Sequence, residues 1–380
     1  MHSKRRLFII LLILAVGLTG CSSFLALPTK NPDLPPNDEP NDMPDAPNFE
    51  LVGFATLGDG TTGGAGYESI TVRTGIELQA AIDAAKNGSN KRIIYVDGQI
   101  TLENSGFTNW NDKNAQIIIK GKNDATPIKD LSIIGVGENA EFIGIGMNMR
   151  RVENIIIQNI KFHHVRMNTG AGDLLGVQGP AKNIRIDHCE FYNEVGDLDG
   201  DGIDGRYVDD NGDKDYYDGA CDIKYDVQYL TFSWNYVHDS YKAIGVGKND
   251  PTTITFHHNF FENCGSRLPS FRDGFAHVFN NYYKDNWGSA VNSRGGALMR
   301  VEGNVFENTR NAIGWYFDEE DPGFWDLGTM GNQYINCTGD QPTESTGLFD
   351  PSTLYEYTLH SFDEVKELVP QYAGVGKLQL

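Results

Sequence analysis

The sequence predicts an all-β chain wound as a single-stranded right-handed parallel β-helix with few short helices. Three observations carry this: a template that recurs six times, an asparagine column at one position of that template, and a composition rich in turn formers. Gly and Asn number 43 and 32 among 380 residues. Both favour tight turns, which suits many short strands and disfavours a helical bundle. Apolar residues make up 39%, enough for a packed core and too many for a disordered chain.

The template is two alternating apolar positions, a polar pair, then an aromatic or apolar position. It occurs at Ile155-Ile157-Ile160-Phe162, Ile184-Ile186-Cys189-Phe191, Leu230-Phe232-Asn235-Val237, Ile254-Phe256-Asn259-Phe261, Ala276-Val278-Asn281-Tyr283 and Met299-Val301-Asn304-Phe306. Its column is Ile160, Cys189, Asn235, Asn259, Asn281 and Asn304, extended by Asn332. The later spacings of 24, 22 and 23 residues are the length of one coil in a stacked solenoid. The earlier ones, 29 and 46, imply longer loops in those coils. Stacked Asn side chains can hydrogen-bond along the axis, and Asn tolerates the left-handed backbone of a sharp bend.

Ahead of the coils, Lys4, Arg5 and Arg6 precede an apolar run from Leu7 to Leu18. That run is shorter than the ~18 residues of a spanning helix and reads as a signal peptide, residues 1–20. Leu18-Thr19-Gly20-Cys21 resembles a bacterial lipobox, which makes Cys21 the lipidation site and the membrane contact a lipid anchor. The expected location is therefore outside the cytoplasm, lipid-anchored on the outer membrane or cell surface, or otherwise secreted. Residues 21–49 carry Pro, Asn and Asp with few large apolar side chains and read as a disordered tether. The folded domain is expected over 50–380, with one helix at Ile76–Lys86 before Asn87-Gly88.

Charge narrows the partners. The 52 acidic and 31 basic side chains give −21, which excludes a generic nucleic-acid binder. Ten of those acids are Asp between Asp197 and Asp222, against two basic residues. The acidic insertion 196–217 opens as Asp197-Leu198-Asp199-Gly200-Asp201-Gly202, the start of a calcium loop, but Val208 stands where such a loop needs a bidentate Glu. An ion-binding insertion and a solvated acidic loop both fit.

Further motifs lie on the coils: Ile186-Asp187-His188-Cys189, Tyr217-Asp218-Gly219-Ala220-Cys221-Asp222-Ile223-Lys224, Lys242, His257-His258-Asn259, and Ser266-Arg267-Leu268-Pro269-Ser270-Phe271-Arg272-Asp273-Gly274. In this order they resemble the pectate lyases of polysaccharide lyase family 1. Gly53-Phe54-Ala55-Thr56, Thr61-Thr62-Gly63-Gly64 and Ala373-Gly374-Val375-Gly376-Lys377 support the resemblance, which covers the chain beyond the tether.

The resemblance implies calcium-dependent β-elimination of α-1,4-linked polygalacturonate to unsaturated oligogalacturonides, by a monomer. It places calcium ligands at Asp173, Asp218 and Asp222, with Ala171 where some relatives have a further acid. Lys242 and Arg272 would hold substrate carboxylates, and Arg267 would abstract the C5 proton. An arginine ordinarily stays protonated, so two assignments fit: a guanidinium crowded by cations, or hydroxide as the base with Arg267 orienting it. A calcium ion bridging protein and sugar carboxylates would let an acidic protein bind an acidic polymer.

Two other readings are weighed. A hydrolase on the same scaffold needs an aspartate cluster working as acid and base, and the arginines argue against it. A non-catalytic, calcium-dependent glycan-binding surface protein would not need Lys242 and Arg267. The three aspartates also argue against a lyase for methylated pectin. His257 and His258 are read as structural, their rings on opposite faces of a strand, as are Asp187 and His188. No pairing is assigned to Cys189, Cys221, Cys264 and Cys337.

Overall fold

The computed structural model describes residues 47–208, 211–247, 250–316 and 321–378. The signal peptide, Cys21 and the tether as far as residue 46 lie outside the described residues. The described residues begin at Pro47, before the expected start at 50. The Phe49 ring packs edge-on against His188 and Trp234, and its carbonyl accepts from the Arg185 guanidinium at 2.7 Å.

The strands wind into three faces of a parallel solenoid. The first face runs through Gln116–Lys120, the opening half of Gly146–Gln158, the opening half of Leu175–Asp187, Cys221–Lys224, Ile244–Val246, Ser270–Arg272 and Val291–Arg294. The second runs through the closing halves of the two long strands, then Val227–Ser233, Thr252–His257, Gly274–Phe279 and Leu298–Glu302. The third is a separate narrow sheet from Gln99–Thr101 to Gln333–Ile335.

The template reads directly onto these coils. Ile155, Ile184, Leu230, Ile254, Ala276 and Met299 align in register on the second face, all fully buried. Each large member contributes roughly 1.5–3 kcal/mol by leaving water. Inside the third face Phe261, Tyr283 and Phe306 stack with ring centroids 4.9 and 4.4 Å apart.

At the corner between second and third faces the asparagine column forms a continuous ladder. The Asn235 amide donates to Asn259 at 3.1 Å, Asn259 to Asn281 at 2.9 Å, Asn281 to Asn304 at 2.9 Å, and Asn304 to Asn332 at 2.9 Å. The left-handed backbone, however, is not borne by the ladder residues. It falls one place earlier, on Asn159, His188, Trp234, His258, Asn280 and the glycines 303 and 331. The bend is thus made by the preceding residue, and the Asn is free to bridge coils.

Two helices pack against the solenoid. Gly75–Lys86 is capped by Thr74, whose side chain accepts from the Glu77 amide, and it buries Leu78, Ile82 and Ala85. A second helix, Phe362–Tyr372, was not expected from the sequence. Ser361 and Glu364 form a capping box at its start, and Val365 and Val369 pack on Phe260, Tyr282 and Val305 of the third face. The signal was available as Ser-x-x-Glu before an apolar residue.

Candidate active site

The first face carries the site because its register brings together residues far apart in sequence. Asn148, Gly176, Asp222, Gly245, Ser270 and Asn292 form one row across six coils. Two residues further along each strand lies a row of cations and amides: Lys120, Arg150, Gln178 and Lys224 are aligned. Ile223, Val246 and Phe271 are in register, which continues the second row to Arg272 and its partner Arg294. Coils repeat at about 4.8 Å, so this row is a ladder of positive and amide groups parallel to the axis. Sequence reasoning found Arg272 and missed the rest, because long loops hide which residues are coil neighbours.

All three predicted aspartates converge beside this row. The Leu174 amide donates to the Gly219 carbonyl at 3.0 Å, and Leu175 pairs with Cys221, so Asp173 faces the loop carrying Asp218 and Asp222. Asp173 and Asp222 are buried, and Oδ1 of each lacks a hydrogen-bond partner. A β-carbon placed on Gly219 would lie 3.1 Å from both of these oxygens. The glycine therefore leaves a small space walled by two bare carboxylate oxygens. Burial pushes the Asp173 carboxyl well above the usual carboxylate range; Asp222 and Asp218 push it further, against the opposing pull of Lys224 and Arg267. Two buried acids with unmet oxygens are costly unless a proton or cation completes them. Hard oxygen donors in this arrangement suit a calcium ion.

The predicted cations surround the acids in different ways. Lys242 is buried and its Nζ lies 2.9 Å from Asp215 and 3.2 Å from Asp218, so it neutralises the site's own rim. Lys224, given no role from sequence, lies 2.5 Å from Asp222 Oδ2. Its burial disfavours the charge, but Asp222 more than compensates and raises its pKa. Arg272 pairs with Asp321 at 2.9 Å. Arg267 sits at φ 66°, in the left-handed region that costs a side-chain-bearing residue about 1–2 kcal/mol. It follows the strand Phe260–Ser266, and its Nη1 reaches 3.6 Å from the point where a β-carbon on Gly245 would stand; Asp222 Oδ1 is 2.6 Å from that point. The guanidinium of Arg267 thereby lies beside the Asp222 carboxylate.

A family model described as pectate lyase matches residues 46–378. The chain belongs to the pectate lyase family. It is 43% identical over 336 residues to a pectate trisaccharide-lyase of Bacillus licheniformis, covering 87% of this chain and 88% of that protein. Pectate lyase A of Aspergillus niger is 33% identical over 330 residues, covering 85% and 86%. Among solved structures, a Bacillus pectate lyase in complex with trigalacturonate superposes with a TM-score of 0.75 at 38% identity, covering 86% of this chain and 99% of that one. As a pectate lyase the chain is a polysaccharide lyase, and the right-handed parallel β-helix is the fold of these neighbours.

Other motifs of this pectate lyase hold the solenoid. Asp187 accepts from Gln158, Arg185, His188 and Ser233 and is fully buried. Burial alone would raise its pKa, but His188 and Arg185 hold it below the ordinary range. The rings of His188, Trp234 and His258 stack under the Phe49 segment. His257 and His258 do not point to opposite faces as the strand alternation implied: their Nδ1 atoms are 2.9 Å apart. The left-handed backbone of His258 breaks the alternation. Both rings are nonetheless buried away from the aspartates, and burial lowers the pKa of each. Cys189, Cys221, Cys264 and Cys337 are free thiols.

The acidic insertion gathers Asp197, Asp199 and Asp213, with oxygens within 4.8 Å of one another. These carboxylates already serve the loop backbone. Asp197 accepts from Gly200 and Gly202, and buried Asp213 accepts from Leu198, Asp199 and Gly205. The insertion also supplies Asp215 to Lys242, so it is fastened to the site it borders.

Proposed function

We propose that this pectate lyase cleaves unesterified polygalacturonate by calcium-dependent β-elimination, with Arg267 receiving the C5 proton. The observation that supports this most directly is the pair of unpartnered buried oxygens on Asp173 and Asp222, opened toward Gly219 and bordered by Arg267. Asp173, Asp222 and Asp218 would hold calcium, which when bound supplies a positive charge for the sugar carboxylate and so acidifies the neighbouring C5–H.

The chain's own residues do the rest. Lys224, Arg272 and the rest of the cationic row bind and orient the polymer's carboxylates, fixing which C–H faces Arg267. The electron pair of the C5–H bond forms the C4–C5 double bond, the C4–oxygen bond breaks, and the departing oxygen takes a proton from water. Lys242 keeps Asp218 in place and limits repulsion among the acids. Retention of three aspartates in one site supports pectate over its methyl ester, whose neutral carboxyl has less need of a cation.

The test is ultraviolet absorbance as the full chain acts on polygalacturonate, with calcium, with a chelator, and beside Arg267→Ala. A calcium-dependent rise that the variant lacks supports elimination and the assigned base. New reducing ends without absorbance would mean hydrolysis instead, and polymer binding without either signal would mean a glycan-binding protein. The proposal includes export and lipidation at Cys21, supported by Leu18-Thr19-Gly20-Cys21 after the basic and apolar segments. A Cys21→Ser chain that still partitions with membranes would overturn it.

A further inference from the structure

The three aspartates of the candidate site come from two separate segments. Asp173 ends the loop 164–174, whereas Asp218 lies just after the acidic insertion and Asp222 in the strand Cys221–Lys224. The separation of these segments therefore sets the separation of the carboxylates. Their backbones meet just before Asp173. The Met167 amide donates to the Tyr216 carbonyl at 3.3 Å, and a β-carbon on Gly172 would stand 2.7 Å from the Met167 carbonyl and 3.0 Å from Asp218 Oδ2. Gly172 has φ 89°, so backbone and space both exclude a side chain there.

Arg166 joins the two segments from the side. Its guanidinium carbon lies 4.7 Å from the centroid of the Trp110 ring and 4.4 Å from that of Tyr216, and Nη2 meets the Tyr216 hydroxyl. Among the described residues no carboxylate pairs with Arg166, although the chain carries 52 acids. A carboxylate partner here would add one more anion beside the aspartates, whereas ring faces hold the charge without one. Trp110 brings in a third segment. The Thr169 hydroxyl donates to the Trp110 carbonyl, and the Gly170 amide donates to the Asp112 carbonyl at 3.0 Å. Thr169 is buried, and its amide closes a turn onto the Arg166 carbonyl at 2.8 Å. The turn that leads into Asp173 is thus fastened at Arg166, Thr169 and Gly170.

We propose that Arg166 is a positioning residue of the candidate calcium site: its planar cation, held between Trp110 and Tyr216, fixes the Asp173 loop at a set distance from Asp218. This rests on the calcium reading of the aspartates. The effect passes through the backbones of the two segments, with the chemistry left to the aspartates and Arg267.

The experiment compares the full chain with Arg166→Leu, Arg166→Lys and Trp110→Leu by calcium calorimetry, amide exchange and urea unfolding. Arg166→Leu is expected to lower calcium affinity about tenfold, the loss of two cation–ring contacts, with the urea midpoint little changed. Arg166→Lys should recover only part of this, because a compact ammonium cannot lie flat between two rings. Trp110→Leu removes only the exposed ring and should fall between parent and Arg166→Leu, which keeps the test decisive if the latter folds poorly. The amides of Met167, Thr169, Gly170 and Gly172 should exchange faster in Arg166→Leu. Elimination lost at low calcium should return as calcium is raised, with kcat at saturation that of the parent. A lower urea midpoint with unchanged calcium affinity would reduce the sandwich to packing and overturn the inference, as would unchanged affinity and exchange in all three variants. If the parent binds no calcium, the calcium reading fails by itself and amide exchange decides. Faster exchange confined to those four amides upholds Arg166 as what fixes the Asp173 loop, and unchanged exchange rejects it.

Discussion

Asp173 and Asp222 present their bare Oδ1 atoms to each other across Gly219, each 3.1 Å from the place a β-carbon would take on that glycine. The two residues are 49 positions apart in sequence, and parallel pairing of consecutive coils makes them neighbours. The space left by the missing side chain of Gly219 is walled by two hard oxygen donors. A Gly219→Ala chain places a methyl group there. It should fold, and its calcium affinity measured by calorimetry should fall by about tenfold or more, the scale seen when a metal site's immediate support is disturbed.

The raised pKa of Asp173 gives a pH prediction with a definite sign. Its neutral form is favoured in the folded chain, so the folded state binds the extra proton. Stability from this group is present below the ordinary carboxylate value of 3.8 and is lost as pH rises through the raised folded value. In chelator, Asp173→Asn should therefore melt higher than the parent at neutral pH. Calcium should raise the parent's melting temperature and leave that of the variant almost unmoved, and the parent's calcium affinity should weaken on acidification.

Arg267 holds its left-handed backbone at a cost that glycine does not bear. Arg267→Gly and Arg267→Ala should both lose elimination. The glycine variant should be the more stable of the two by about 1 kcal/mol, measured by urea unfolding. Equal stabilities would show that the surrounding coil imposes no strain there.

Asn281 makes the ladder prediction. It accepts from both the Asn259 backbone and amide, and donates to Asn304 and to the Phe256 and Phe279 carbonyls, all without exposure to water. Asn281→Ala leaves several buried groups unpaired, each costing about 1–3 kcal/mol. The loss should appear as a clear fall in the urea midpoint, and Asn332→Ala, at the less buried end of the ladder, should lose less.

The sequence-readable part of this molecule is the part with a fixed period. The 22–24-residue spacing from Asn235 to Asn304 exposed the coils, and the Gly75–Lys86 helix announced itself by its apolar rhythm and the Asn-Gly after it. Asp173, Asp218, Asp222 and Arg267 were singled out through motif order, and the fold brings them near one another. What escaped depends on register across irregular loops. Lys224 and Gln178 are neighbours although the whole acidic insertion separates them, and no periodicity links Lys120 to Arg150. Helix Phe362–Tyr372 was missed although Ser361 and Glu364 signal its start, because internal Pro370 reads as a helix breaker. The facing of His257 and His258 was misjudged because strand alternation assumes extended backbone, which His258 does not have.

Lys242 has one more meaning beyond binding. Held between Asp215 and Asp218, its ammonium is a tethered counter-ion that travels with the chain. A dication that claimed Asp218 would weaken one of the lysine's two contacts, so its uptake would be an exchange of partners and not a simple addition of charge. The Asp215–Asp218 edge of the pocket is thus compensated by the chain's own ammonium before any metal is encountered, which leaves Asp173 and Asp222 as the acids still in want of a proton or cation.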